Sequence, residues 1–176
     1  MRLPFSSLTT VLALILPLSS VAADLVKRDI LDPSNYKNTT VSRGITYNYY
    51  FSPPTNNQRS LVFLHGWPGL SYDWRFQIDF FKDAGYGIIV PDMLGFGGTD
   101  KPTDPEVYKP SLISRDIVDI LDAEAIPDDV VVIGHDWGSN IAGRLANYFP
   151  DRFSAFGFIA VGNALFTSPY DQLNNL

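Results

Sequence analysis

One stretch of this sequence, Gly134-His135-Asp136-Trp137-Gly138, has the residue types and spacing of a reactive carboxylate held on a turn. It follows the apolar run Val130-Val131-Val132-Ile133 and precedes a helical pattern over Ser139 to Phe149. Small residues at both ends of a G-x-D-x-G pentapeptide permit a tight strand-to-helix turn. That turn exposes the middle side chain and faces it with the first backbone N–H groups of the helix. An aspartate there is ionised at neutral pH, its reference pKa being about 3.9, and it needs no base to become a nucleophile. Attack on an amide or ester would give an anhydride, which is uphill. Its useful target is therefore a saturated carbon bearing a leaving group, and the product is an alkyl ester of the aspartate. Water must then cleave that ester at the aspartate's own carboxyl carbon, which takes a general base and donors for the oxyanion. The same pentapeptide also fits a plainer role, in which Asp136 caps the following helix.

The elements needed to hold such a turn are written on either side of it. Ser60-Leu61-Val62-Phe63-Leu64 and Gly87-Ile88-Ile89-Val90 are continuously apolar, as strands covered on both faces are. Phe156-Gly157-Phe158-Ile159-Ala160-Val161 reads as a fourth strand of this kind after Val130-Val131-Val132-Ile133. Ile45 to Phe51 alternates aromatic and β-branched residues and predicts an antiparallel strand. Helical patterns lie near Trp74 to Asp83 and after Pro110, where Leu112, Ile113, Ile117, Ile120 and Leu121 form an apolar stripe; the helix over Ser139 to Phe149 stops before Pro150. Strand and helix in alternation imply a parallel sheet with right-handed crossovers. Directly after the first apolar strand stands His65-Gly66-Trp67-Pro68-Gly69. Glycine there lets backbone approach a ligand, and Pro68 after Trp67 restricts the turn and is a candidate cis peptide. One such loop alone is a structural turn; two loops at the ends of buried strands point to a site.

The chain has 176 residues, enough for one domain, and with 45% hydrophobic and 14% aromatic residues it can pack a core. A formal charge of -6 without basic runs excludes nucleic acid as a natural partner. Absence of cysteine removes disulfide and thiolate chemistry, and with two histidines no metal or other cofactor is expected. Residues 1–23 read as a signal peptide, with Arg2, the apolar core Val11 to Leu18 and the small residues Val21-Ala22-Ala23. Secretion follows, with no membrane association after cleavage. Lys27-Arg28 is either a dibasic processing point or an ordinary solvated pair, the second being simpler. Residues 24–57 read as an amino-terminal extension with the first strands, and Asn38-Thr39-Thr40 is a glycosylation sequon. Asp92 and Asp100 are expected in turn capping and surface salt bridges, and Asp116, Asp119 and Asp122 on a solvated helix face.

Four segments carry a family resemblance: His65-Gly66-Trp67-Pro68-Gly69, Tyr72-Asp73-Trp74-Arg75, Pro91-Asp92-Met93-Leu94-Gly95-Phe96-Gly97-Gly98-Thr99-Asp100 and Gly134-His135-Asp136-Trp137-Gly138. Over Leu61 to Val161 the chain resembles the amino-terminal half of soluble epoxide hydrolases. The resemblance implies an α/β-hydrolase fold, a mostly parallel sheet with helices on both faces, truncated here before the lid and last strands, with residues 58–176 as the first half of the catalytic domain. It implies Asp136 as nucleophile and the Trp67 and Trp137 backbone N–H groups as oxyanion donors. His65, Gly66, Pro68, Gly134, His135 and Gly138 would be supporting motif residues, and the substrate a small apolar epoxide. Haloalkane dehalogenases resemble the chain too, but many carry a halide-binding Asn where this sequence has Trp67; epoxide hydrolases favour an aromatic residue there. The family's base, its supporting acid and its lid tyrosines come later than Leu176. No tyrosine here, Tyr170 included, is matched to a lid position, and neither His65 nor His135 is expected to act as base. The expectation is a chain inactive alone, with an apolar sheet edge open to self-association. The reading from another class is a non-catalytic protein that binds ligand in the same groove.

Overall fold

The computed structural model describes residues 32–161. The expected signal peptide, Lys27-Arg28 and Tyr170 lie outside them. Six strands form one sheet: β1 (Tyr36–Thr40), β2 (Thr46–Ser52), β3 (Ser60–Leu64), β4 (Gly87–Pro91), β5 (Val130–His135) and β6 (Phe153–Ile159). Their order is β1-β2-β4-β3-β5-β6. The β1–β2 and β2–β4 pairs are antiparallel, and β4–β3, β3–β5 and β5–β6 are parallel. Among the described residues three α-helices connect β3 to β6: α1 (Arg75–Asp83), α2 (Pro110–Ala123) and α3 (Trp137–Tyr148).

The apolar runs became central strands because both faces of the sheet are covered. Every residue of β3 and of β4 is buried. Side chains alternate between the faces, so Leu61 and Phe63 pack with Trp74 and Ile78 on the α1 side. Val62 and Leu64 join Ile113, Ile117, Leu121, Ile141 and Leu145 on the α2 and α3 side. The alternating segment became β2, with Tyr47, Tyr49 and Tyr50 fully buried. β1, which polar composition hides, pairs with it as an edge strand. Asn38 is exposed on β1, and its Oδ1 accepts a hydrogen bond from Asn48 Nδ2 at 3.0 Å.

Three expectations are corrected. The fourth apolar strand is β6, which begins earlier, at Phe153, and is largely unburied: Ser154, Ala155 and Ile159 are exposed and Phe156 to Phe158 half-buried. It is the outermost strand among the described residues, so its apolar side chains lack the second covering that β3 has. Leu112 is exposed, and Val118 takes its place in the α2 stripe. Asp116 is not solvated. It is fully buried and accepts hydrogen bonds from Arg43 Nε at 2.7 Å and Tyr47 Oη at 2.8 Å. Arg43, in the β1–β2 turn, forms a bidentate pair with it, so the ion pair ties that hairpin to α2.

Candidate active site

Asp136 sits between the end of β5 and the start of α3 with φ 52° and ψ -120°. A positive φ is strained for a residue with a Cβ and persists only when its surroundings over-determine it. Here they do. The Asp136 N–H donates to Ile159 O of β6 at 3.2 Å, and Ser139 N–H donates to Asp136 O at 2.9 Å. The Ser139 hydroxyl donates to Gly134 O at 2.8 Å. The two flanking glycines are required by space: a Cβ on Gly134 would overlap the Gly138 backbone, and one on Gly138 would overlap the Leu64 carbonyl of β3. Asp136 occupies the N-cap position of α3, yet its side chain makes no capping hydrogen bond.

The carboxylate turns instead toward the loop after β3. Because β3 and β5 are parallel neighbours, with Leu64 opposite Gly134, the two loops leave the sheet side by side. Trp67 N–H donates to Asp136 Oδ1 at 3.0 Å. The approach is close enough that a Cβ on Gly66 would stand 2.5 Å from Oδ1, so only glycine fits. The Trp67–Pro68 peptide is cis. Hydrogen bonds from the backbone of Trp137 and then of Trp67 hold the Asp136 carboxyl below its ordinary value of 3.8, the His135 charge adding to them against slight desolvation.

Neither histidine stands ready as a base. His65 is buried; its Nε2 accepts Met93 N–H at 2.9 Å and its Nδ1 lies 2.9 Å from Gly66 O. Burial lowers its pKa from 6.5, against the Gly66 hydrogen bond and the charges of Asp92 and Asp73. His135 is exposed and opens into a recess with Trp74 and Gln77, on the α1 side of the sheet. Asp92 caps turns as expected, but from the interior: its two oxygens accept Ser71 N–H at 3.0 Å and Gly98 N–H at 2.9 Å. Asp100 likewise accepts Thr46 N–H, at 2.7 Å.

Beside the carboxylate lies a cleft of about 330 Å³ on the α2 and α3 side. Gly66, Trp67 and Trp137 form its edge next to Asp136, His65 also lines it, and Met93, Leu94, Phe96, Tyr108, Ile113 and Ile141 make most of the remaining wall apolar. Trp67 and Trp137 remain 69% and 65% exposed, so their rings rim the opening. Sequence reasoning missed this lining. Met93, Leu94 and Phe96 stood within the segment that carried the resemblance, but nothing in their spacing says which face they take. Among the described residues no group of three or more His, Asp or Glu side chains could hold a metal ion.

A mostly parallel sheet with helices on both faces, and an aspartate raised on a strand-to-helix turn against a second backbone donor, define a class of hydrolytic scaffold. A model of the alpha/beta hydrolase fold family matches residues 59–173, and the chain belongs to that family. Within it the chain is epoxide hydrolase-like. It is 42% identical over 102 residues to epoxide hydrolase 2 of Siraitia grosvenorii, covering 58% of this chain and 32% of that protein. It is 35% identical over 119 residues to the epoxide hydrolase srdG of Neurospora crassa, covering 64% of this chain and 35% of the relative. Among solved structures, the epoxide hydrolase VrEH1 from Vigna radiata superposes with a TM-score of 0.66 at 28% identity, over 72% of this chain and 39% of that one. The chain spans about a third of the length of the curated relatives it matches.

Proposed function

We propose that this chain carries the alkylating half of an epoxide hydrolase active site, with Asp136 as nucleophile. The observation that carries the reading is the Asp136 carboxylate itself, lifted out of a helix cap by a positive φ and held by Trp67 N–H at 3.0 Å beside an apolar cleft. With Oδ1 engaged, Oδ2 attacks a ring carbon of an apolar epoxide. The carbon–oxygen ring bond breaks, its electron pair stays on the epoxide oxygen, and that oxygen takes a proton from solvent. The product is a β-hydroxyalkyl ester of Asp136. In the second step water adds to the ester carbonyl, negative charge collects on Oδ1, and the Trp67 and Trp137 amides receive it. One such donor is worth about 2.7–4 kcal/mol in the transition state. Collapse releases the diol and restores the carboxylate.

That second step takes a base to activate water. His65 has both ring nitrogens engaged and His135 opens toward α1, which supports an ester that persists on this 176-residue chain. Intact-mass measurement after prolonged incubation with an aryl epoxide tests the reading, with a chloroalkane in parallel. The expected result is a gain equal to one whole epoxide, absent in Asp136→Asn, and slower gain from the chloroalkane. Faster alkylation by the chloroalkane would instead favour dehalogenase chemistry. Saturable ligand binding that survives Asp136→Ala, without any adduct, would support a non-catalytic binding protein.

A further inference from the structure

We propose that His65 is a positioning residue for Asp136: its imidazole holds the carbonyl end of the Gly66–Trp67 peptide, whose N–H end donates to Asp136 Oδ1. This rests on the reading of Asp136 as nucleophile and adds a residue that acts on it through one peptide group. The chain of contacts is short. Met93 N–H can only donate, so at 2.9 Å it requires His65 Nε2 to be bare. A neutral ring then carries its proton on Nδ1, which donates to Gly66 O at 2.9 Å. Gly69 N–H donates to the same oxygen at 2.8 Å. A peptide unit is planar, with C=O and N–H pointing in opposite directions when trans. Two donors that fix the Gly66 oxygen therefore fix the direction of Trp67 N–H, which meets Oδ1 at 3.0 Å.

Hydrogen bonds at the carbonyl end also polarise the peptide and strengthen the N–H at its other end. The ring cannot easily turn away. It is 2% exposed, and Phe96 packs edge-on against it with centroids 5.6 Å apart. Met93 and Phe96 both line the cleft, so the same imidazole ties the cleft wall to the nucleophile's donor. Burial favours the neutral ring and so keeps Nε2 available to Met93. A histidine serving only to hold the loop to β4 would act through Met93 and have no need of the Gly66 contact.

Two substitutions separate these roles. His65→Asn places an amide N–H near the Nδ1 position and keeps the Gly66 contact without reaching Met93. His65→Gln places a carbonyl oxygen near Nε2 and keeps the Met93 contact without the Gly66 donor. The readouts, in the full 176-residue chain, are the Trp67 amide proton shift and the Asp136 carboxyl titration by NMR. We expect His65→Asn to leave both close to those of the unsubstituted chain. His65→Gln should move the Trp67 proton upfield and raise the Asp136 midpoint by about half a unit or more, as weakening one hydrogen bond to the charged form does. Equal shifts in both variants, or none in either, would overturn the proposal. Should either variant fail to fold, the ring ¹⁵N shifts of the unsubstituted chain decide: a proton on Nδ1 and a bare Nε2 are required, and the reverse tautomer overturns it. A missing epoxide adduct on Asp136 counts against the nucleophile alone and leaves these NMR outcomes intact, so the two failures are distinguishable.

Discussion

At position 136 one backbone angle separates a helix cap from a carboxylate presented to a second loop. With φ at 52° the Asp136 side chain leaves the axis of α3 and meets the donor of another loop. Gly66 makes that meeting possible, and Gly66→Ala would drive a methyl group into the carboxylate. Losing the Trp67 hydrogen bond to the charged carboxylate should raise the Asp136 titration midpoint in that variant, read by NMR; an unchanged midpoint would show the Trp67 amide to be idle. Much of this was legible in the sequence, because small residues on both sides of an aspartate between a strand and a helix leave few other conformations. The His65 clamp was not. A histidine beside a glycine reads the same whichever way its ring turns, and only Met93 N–H, 28 residues away, reveals which nitrogen is bare.

At the scale of elements, apolar runs identified β3, β4 and β5, because a strand covered on both faces has no room for a polar position. The same signal misled at β6, where similar residues lie on the outermost described strand. It also misled at Asp116, since helical spacing does not say where Arg43 and Tyr47 come to rest. Asp116 lies under the hairpin that begins the sheet, and removing one partner of a buried pair leaves the other charge uncompensated. Asp116→Ala should destabilise the chain by about 3–5 kcal/mol in urea unfolding. The exposed pair of Arg59 with Asp129 should matter far less, Arg59→Ala costing about 0.5 kcal/mol. Comparable losses in the two variants would mean that the Asp116 cluster is solvated in solution.

For the whole molecule, acid is the natural stress. Burial holds the folded His65 pKa below 6.5, so the unfolded chain binds that proton first and stability falls as pH drops below about 6.5. Asp136 is held below 3.8 by the Trp137 and Trp67 amides. At Asp119 the upward push of burial is overcome by hydrogen bonds from Ser42 and by Arg115. Their contributions are present above 3.8 and are lost as pH falls through the folded values. Urea midpoints should therefore decline in two stages, and His65→Asn should flatten the first; a midpoint constant from pH 7 to pH 5 would contradict this. The α/β architecture was readable from β2 to β5 because alternating strand and helix patterns leave one economical arrangement, whereas polar β1 was hidden and the cleft depended on which face each side chain took. Peptide-level mass spectrometry after incubation with an aryl epoxide tests the role of Asp136 most directly. The expected product is an ester on the peptide bearing Asp136 and on no other carboxylate. A label on Asp73, Asp92 or His135 in its place, or equal labelling of the urea-unfolded chain, would contradict it.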